Sequence, residues 1–230
     1  MSRIRLAFGA VAVLVVSVSI LVAGCDGGGG DQTPTPVPPQ FEEQLRRMVL
    51  QAEDVPSGFV VIDDEFSTNQ AVALDSPDSE AELAKLEQRG RILGYDVTYE
   101  PGGPSDEGEA IIFSLNSTAS IYRTPEGASA SFAEAASQAR TTDWTLFFGG
   151  AENIVVEEQP APDVADEALW LRVTGKAEAG EQTFAHDVVL LRTGAARGTL
   201  QVGSFGTPEG KEFVEGMIRA QAEHMVTAAP

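Results

Sequence analysis

His186 and His224 are the only histidines of the chain and Cys25 its only cysteine, so the residue types that most often carry acid-base, nucleophilic or metal chemistry are scarce. No HExxH pattern occurs, and one cysteine can form neither an intramolecular disulfide nor a Cys-rich zinc site. His186 falls in a strand-like segment and His224 near the end of the last helix, where both are expected to pack rather than react. Gly127-Ala128-Ser129-Ala130-Ser131 lacks the second glycine of a nucleophile elbow and lies in a helical pattern, which makes its serines surface residues. Asp63-Asp64-Glu65 and Asp106-Glu107-Gly108-Glu109 cluster oxygen ligands of the kind that hold calcium. Neither has the spacing of a calcium loop, so both read as solvated acidic loops. No catalytic residue, metal ligand or cofactor is nominated. Binding energy is most often carried by aromatics and arginine, and Tyr122, Trp170 and Arg172 are the ligand-binding candidates. Their alternate neighbours Ile121, Leu169, Leu171 and Val173 read as core, which leaves the three to meet a small molecule or an envelope protein on an open sheet face.

Composition narrows the partners. The 230 residues include 15 Lys+Arg against 35 Asp+Glu, a net charge of -20 with His neutral. Such a chain repels phosphate backbones and anionic headgroups, which argues against nucleic-acid binding. A hydrophobic fraction of 43% with 22% charged residues suits a globular protein.

Those residues must be positioned by the elements around them. Phe41, Leu45, Met48, Val49 and Ala52 recur at helical spacing, and Glu53 to Phe59 breaks that helix with Pro56 and Gly58. A short strand follows over 59–62. Ser76-Pro77 reads as the start of a second helix that ends near Gly90. In 92–100, Leu93, Tyr95, Val97 and Tyr99 alternate with Gly94, Asp96, Thr98 and Glu100. Residues 111–122 repeat the pattern, with Leu115, Ala119 and Ile121 opposite Asn116, Thr118, Ser120 and Tyr122. One face of this sheet is therefore wet or turned to a ligand. Further strands are expected over 154–158, 168–174, 183–192 and 199–205. Thr124-Pro125-Glu126-Gly127 and Thr207-Pro208-Glu209-Gly210 are identical and each opens a helical pattern, with Thr as cap, Pro in the first turn and Glu at the positive end of the dipole. The reading is an α+β fold, an antiparallel sheet with helices packed mainly on one face, built from two duplicated β-β-α units.

The start of the chain supplies an address. Arg3 and Arg5 precede an uncharged stretch from Leu6 to Ala23, the layout of an export signal. Leu21-Val22-Ala23-Gly24-Cys25 resembles a bacterial lipobox. That resemblance implies removal of residues 1–24 as a signal peptide, acylation of Cys25, palmitate among the acyl chains, and a cell-membrane protein facing the extracytoplasmic side. Each buried acyl CH₂ is worth about 0.8 kcal/mol, so two or three chains would anchor it stably. Residues 25–40 then form the lipidated end and a Gly- and Pro-rich tether, with a reach on the order of 50 Å. Residues 41–230 form one extracytoplasmic domain with internal halves 41–140 and 150–230.

Leu50-Gln51-Ala52-Glu53-Asp54-Val55-Pro56-Ser57-Gly58-Phe59, Gly90-Arg91-Ile92-Leu93-Gly94-Tyr95 and Ile121-Tyr122-Arg123-Thr124-Pro125-Glu126-Gly127-Ala128 resemble segments of uncharacterised extracytoplasmic bacterial lipoproteins. Some of these have sensor-like or Mog1/PsbP-like domains, and the resemblance implies a non-catalytic module that binds a ligand or a partner. The alternatives are a structural or assembly accessory of an envelope complex and, third, a hydrolase of envelope polymers.

Overall fold

The computed structural model describes residues 38–103, 111–149, 151–176, 183–205 and 210–228. The signal stretch, Cys25, the tether to residue 37, Asp106-Glu107-Gly108-Glu109 and Thr207-Pro208-Glu209 lie outside the described residues. Helix α1 (Pro39–Met48) comes first, with Pro in its first turn, Glu42 near its N-terminus and Arg46 and Arg47 in its last turn, all favourable to the helix dipole. It ends four residues before the predicted Ala52, because Val49 turns extended and the next residue is claimed by the sheet. Leu50 donates its N–H to the Ser117 hydroxyl at 3.0 Å and accepts from the Tyr99 hydroxyl at 2.9 Å.

The chain continues through β1 (Phe59–Ser67), α2 (Asn69–Leu74), α3 (Ser79–Gln88), β2 (Arg91–Pro101), β3 (Ile111–Tyr122), α4 (Pro125–Thr141) and α5 (Trp144–Phe147). It closes with β4 (Glu152–Gln159), β5 (Glu167–Lys176), β6 (Thr183–Thr193), β7 (Ala196–Phe205) and α6 (Lys211–Ala228). The seven strands form one antiparallel sheet in the order β1-β2-β3-β7-β6-β5-β4. Two meanders thus run inward from the edges and meet along β3 and β7. Asp63-Asp64-Glu65, expected in a loop, is part of β1, where Asp64 accepts bonds from the Tyr95 hydroxyl at 2.7 Å and from Arg46 at 3.1 Å. The second helix starts later than Ser76-Pro77, because Asp78 is the residue whose side chain caps it, on the Ala81 N–H.

The α+β class and the antiparallel sheet agree with the sequence, but the helices are not gathered on one face. The side chains of Leu93, Tyr95, Val97, Leu115, Ala119, Ile121, Val189, Leu191, Leu200 and Val202 pack with α1 and α6 in the main core. Leu169, Leu171 and Leu190 pack with Phe132 and Ala136 of α4 on the other face, and Val173 and Val188 join Trp144 of α5 there. The physical reason is the near-continuous burial of β5 and β6, which leaves neither face of that half to solvent.

The repeated tetrapeptide is used unequally. Thr124 caps the Gly127 N–H at 3.2 Å as predicted. Gly127 also lies so close to the end of α3 that a Cβ would stand 2.0 Å from the Arg89 carbonyl oxygen, whereas one on Gly210 would meet nothing within 4 Å. The helices that follow differ too, since α4 packs across β5, β6 and β7 of the other meander and α6 packs on β6 and β7 of its own, on the opposite face. Gly127→Ala is therefore expected to destabilise the fold by about 2 kcal/mol, through overpacking against a backbone atom that has little room to yield. Gly210→Ala should stay within about 0.5 kcal/mol of the parent. Urea unfolding of the two variants checks this, and equal effects would contradict it.

Candidate functional site

The alternating polar residues of β2 and β3 point away from the main core, toward α2, α3 and α4. The helices do not close over them. They leave a cleft of about 490 Å³, floored by Asp96, Thr118, Ser120, Tyr122 and Arg197 and walled by Leu86 of α3, by Arg89 at the C-cap of α3 and by Ser131, Glu134 and Gln138 of α4. Ala71 and Val72 of α2 and the carboxylates Glu65 and Asp75 complete the lining toward solvent.

Arg91 is the most deeply set charge in this cleft, with only 7% of its surface exposed. Its place exists because Gly94 has no side chain: a Cβ there would lie 2.2 Å from Nη2 of Arg91. The guanidinium donates to the Ser67 carbonyl at 3.0 Å, the Ser67 hydroxyl at 2.8 Å, Asn69 at 3.1 Å and, weakly, Ser120 at 3.4 Å. All these acceptors are neutral, and among the described residues no carboxylate forms an ion pair with it. Burial, with the like charge of Arg197 adding to it, lowers the Arg91 pKa.

Arg197 enters from β7. Its Nη1 donates to the Ser131 hydroxyl at 3.0 Å, and that oxygen also accepts from the Tyr122 hydroxyl at 2.6 Å. Its Nε is buried and has no partner among the described residues. Ser131, expected on the surface, is instead 4% exposed, because α4 turns the face bearing Ala128, Ser131 and Phe132 onto the sheet. Asp96 is raised in pKa, chiefly by burial and against the pull of Arg91. The other charges of the α3–α4 wall neutralise one another. Glu134 is held by Arg89 and by Lys85 at 2.9 Å, and its pKa is lowered mainly by the bond from Arg89. Lys85 is raised by its bonds to Glu82 and Glu134.

Of the three binding candidates, the structure brings only Tyr122 to this cleft. Trp170 and Arg172 lie on the opposite face and are 3% and 2% exposed. Both are bonded to Asp187: the Trp170 indole N–H donates to it at 2.6 Å, and Arg172 donates through Nε and Nη2, each at 2.8 Å. Trp170 also borders a smaller hollow of about 380 Å³ formed with residues 158–169. His186 packs among Trp144, Phe147 and Phe148, and its Nε2 is buried without a partner among the described residues. Burial drives its pKa down to about 4, against the opposing effects of Asp187 and a bond to Gln201. His224 binds Asp54 at 2.8 Å across the α6 face. Sequence reasoning missed Arg91, Arg197 and Ser131. The polar face of β2 and β3 was the signal that could have found them, followed across to whichever strand paired with β3.

No protein-family model matches the chain, and no curated protein matches it in sequence. Among solved structures, the chain is similar to the extracellular domain of PknH from Mycobacterium tuberculosis, at 12% identity and a TM-score of 0.47, over 81% of this chain and 95% of that one. Among the described residues no helix is long and apolar enough to cross a membrane.

Proposed function

We propose that the protein is an extracytoplasmic lipoprotein, anchored to the membrane through Cys25, whose folded part binds a small polar ligand in the α3–α4 cleft without transforming it. The observation that carries the binding reading is Arg91 and Arg197 side by side in a concave site, ringed by hydroxyl groups and without a carboxylate in ion-pair contact. A buried cation with neutral partners alone is costly, and a donor left unpaired there is a functional-site signal. The address rests on the lipobox-like Leu21 to Cys25 and on the uncharged stretch before it. A second reading, an envelope-assembly accessory, draws on the exposed Leu146 and Phe147 of α5, at 79% and 61%, beside the edge strand β4.

Full-length protein expressed in a lipoprotein-processing bacterium with labelled palmitate should carry the label, and Cys25→Ser should abolish it. Native mass spectrometry of the same preparation should show a small molecule retained by the parent and lost on Ser131→Trp, which fills the cleft. Label persisting in Cys25→Ser would overturn the anchor, and a ligand indifferent to Ser131→Trp would move the binding site elsewhere.

A further inference from the structure

We propose, building on the cleft reading above, that the ligand is a small zwitterion, an amino acid or short peptide, with its carboxylate between Arg91 and Arg197 and its ammonium toward Glu65 and Asp75.

Donor counting supports the anionic end. A guanidinium has five N–H donors, and four of those of Arg91 are committed to neutral oxygens. Arg197 commits one, to Ser131. Ser131 already accepts two bonds, so its own hydrogen remains for a further acceptor. Donors from two guanidiniums and a hydroxyl therefore converge where like charges face each other, the arrangement that an oxyanion relieves and that planar carboxylates match in a fork. The rest of the lining selects among anions. Asp96 sits beside Arg91, and Glu65 and Asp75 stand exposed at the mouth, their carboxylates without a hydrogen bond or ion pair to another described residue. A multiply charged phosphate would be repelled by these carboxylates, while a single carboxylate joined to an ammonium places each charge beside its opposite. The cleft volume of about 490 Å³ suits a molecule of one or two residues.

Titration calorimetry on the full-length chain in detergent tests this with the common α-amino acids and their dipeptides, and with acetate, methylamine and inorganic phosphate as probes. At least one zwitterion should bind more tightly than acetate or methylamine, and phosphate should not compete. Arg197→Gln should weaken that zwitterion by about tenfold or more, the loss expected of a charge-assisted bond. Arg197→Lys should recover only part of it. Glu65→Gln with Asp75→Asn, both exposed and safe for folding, should weaken the zwitterion and leave acetate unchanged. Gly94→Ala, which pushes Arg91 from its seat, should behave like Arg197→Gln. Phosphate binding above every zwitterion, or an affinity unmoved by Arg197→Gln in a folded variant, overturns the proposal. A neutral ligand displaced by Ser131→Trp but unmoved by Arg197→Gln would overturn it while leaving the cleft as a binding site. Absence of any ligand in both experiments would overturn both readings.

Discussion

Asp187→Asn is expected to destabilise the fold by about 3–5 kcal/mol, the cost typical of removing one partner of a buried ion pair. The carboxylate is 1% exposed and serves three donors at once, Nε and Nη2 of Arg172 and the Trp170 indole. Asparagine keeps one acceptor oxygen and the shape, but it leaves the Arg172 charge in the interior without its carboxylate. The loss is thus electrostatic rather than a matter of cavity. The double variant Arg172→Met with Asp187→Leu should be milder than Asp187→Asn alone, because charge and counter-charge leave together, and of the bonds made to Asp187 only the indole N–H is then left without its acceptor, a defect worth about 1–3 kcal/mol. Urea unfolding of the three proteins gives the comparison. A single variant that costs less than its double would show that the pair does not hold the β5–β6 face as described.

The second large effect is a pH dependence centred on His186. An unfolded chain carries this imidazole at an ordinary pKa of about 6.5, while the folded chain holds it at about 4. Between those values the unfolded state binds more protons, so folding stability is complete above about pH 6.5 and falls as the pH drops toward 4. The slope approaches about 1.4 kcal/mol per pH unit, and the full span is worth about 3 kcal/mol. The cause is geometric: Trp144, Phe147 and Phe148 surround the ring and offer its Nε2 no acceptor. His186→Phe keeps an aromatic ring in that site and removes the proton. Stability measured against pH should therefore be flatter in the variant from pH 6.5 downward and parallel to the parent above it. Parallel curves throughout would show that the site admits the charged ring.

The two misplaced candidates show what strand periodicity can and cannot report. Leu169, Leu171 and Val173 alternate with Trp170 and Arg172, and the same alternation serves a strand with one wet face and a strand buried on both. What decides is the partner in register: Asp187 stands opposite Arg172, and the indole of Trp170 reaches the same carboxylate. That pairing joins residues from different strands and leaves no local mark. On β2 and β3 the alternation was sufficient, because Asp96, Thr118, Ser120 and Tyr122 all line the cleft. The two arginines are less legible: Arg91 opens β2, where a shift in the β2–β3 register lies between it and Leu93, and Arg197 comes from β7, which only the non-local pairing with β3 brings to the same place. The short helices α2 and α5, six and four residues long, are below the length at which a helical period can be recognised.

The seam between β3 and β7 also sets an order of events in folding. Ile121 pairs with Ala196 and Ile111 with Phe205, so the central ladder cannot form until nearly the whole chain has been made. The first helix is completed late as well: α1 packs on β2 and β3 and also on α6, where Gln44 donates to the carbonyl of Ala228 at 2.6 Å. A nascent chain ending before β7 holds two three-stranded meanders, β1-β2-β3 and β4-β5-β6, whose inner edges at β3 and β6 are both uncovered, a state open to edge-to-edge association. Long-range strand pairing of this kind is slow because loop entropy is spent before the long-range contacts return it. The join between the two meanders is thus supplied only by β7, and a truncation before Ala196 removes that join together with α6.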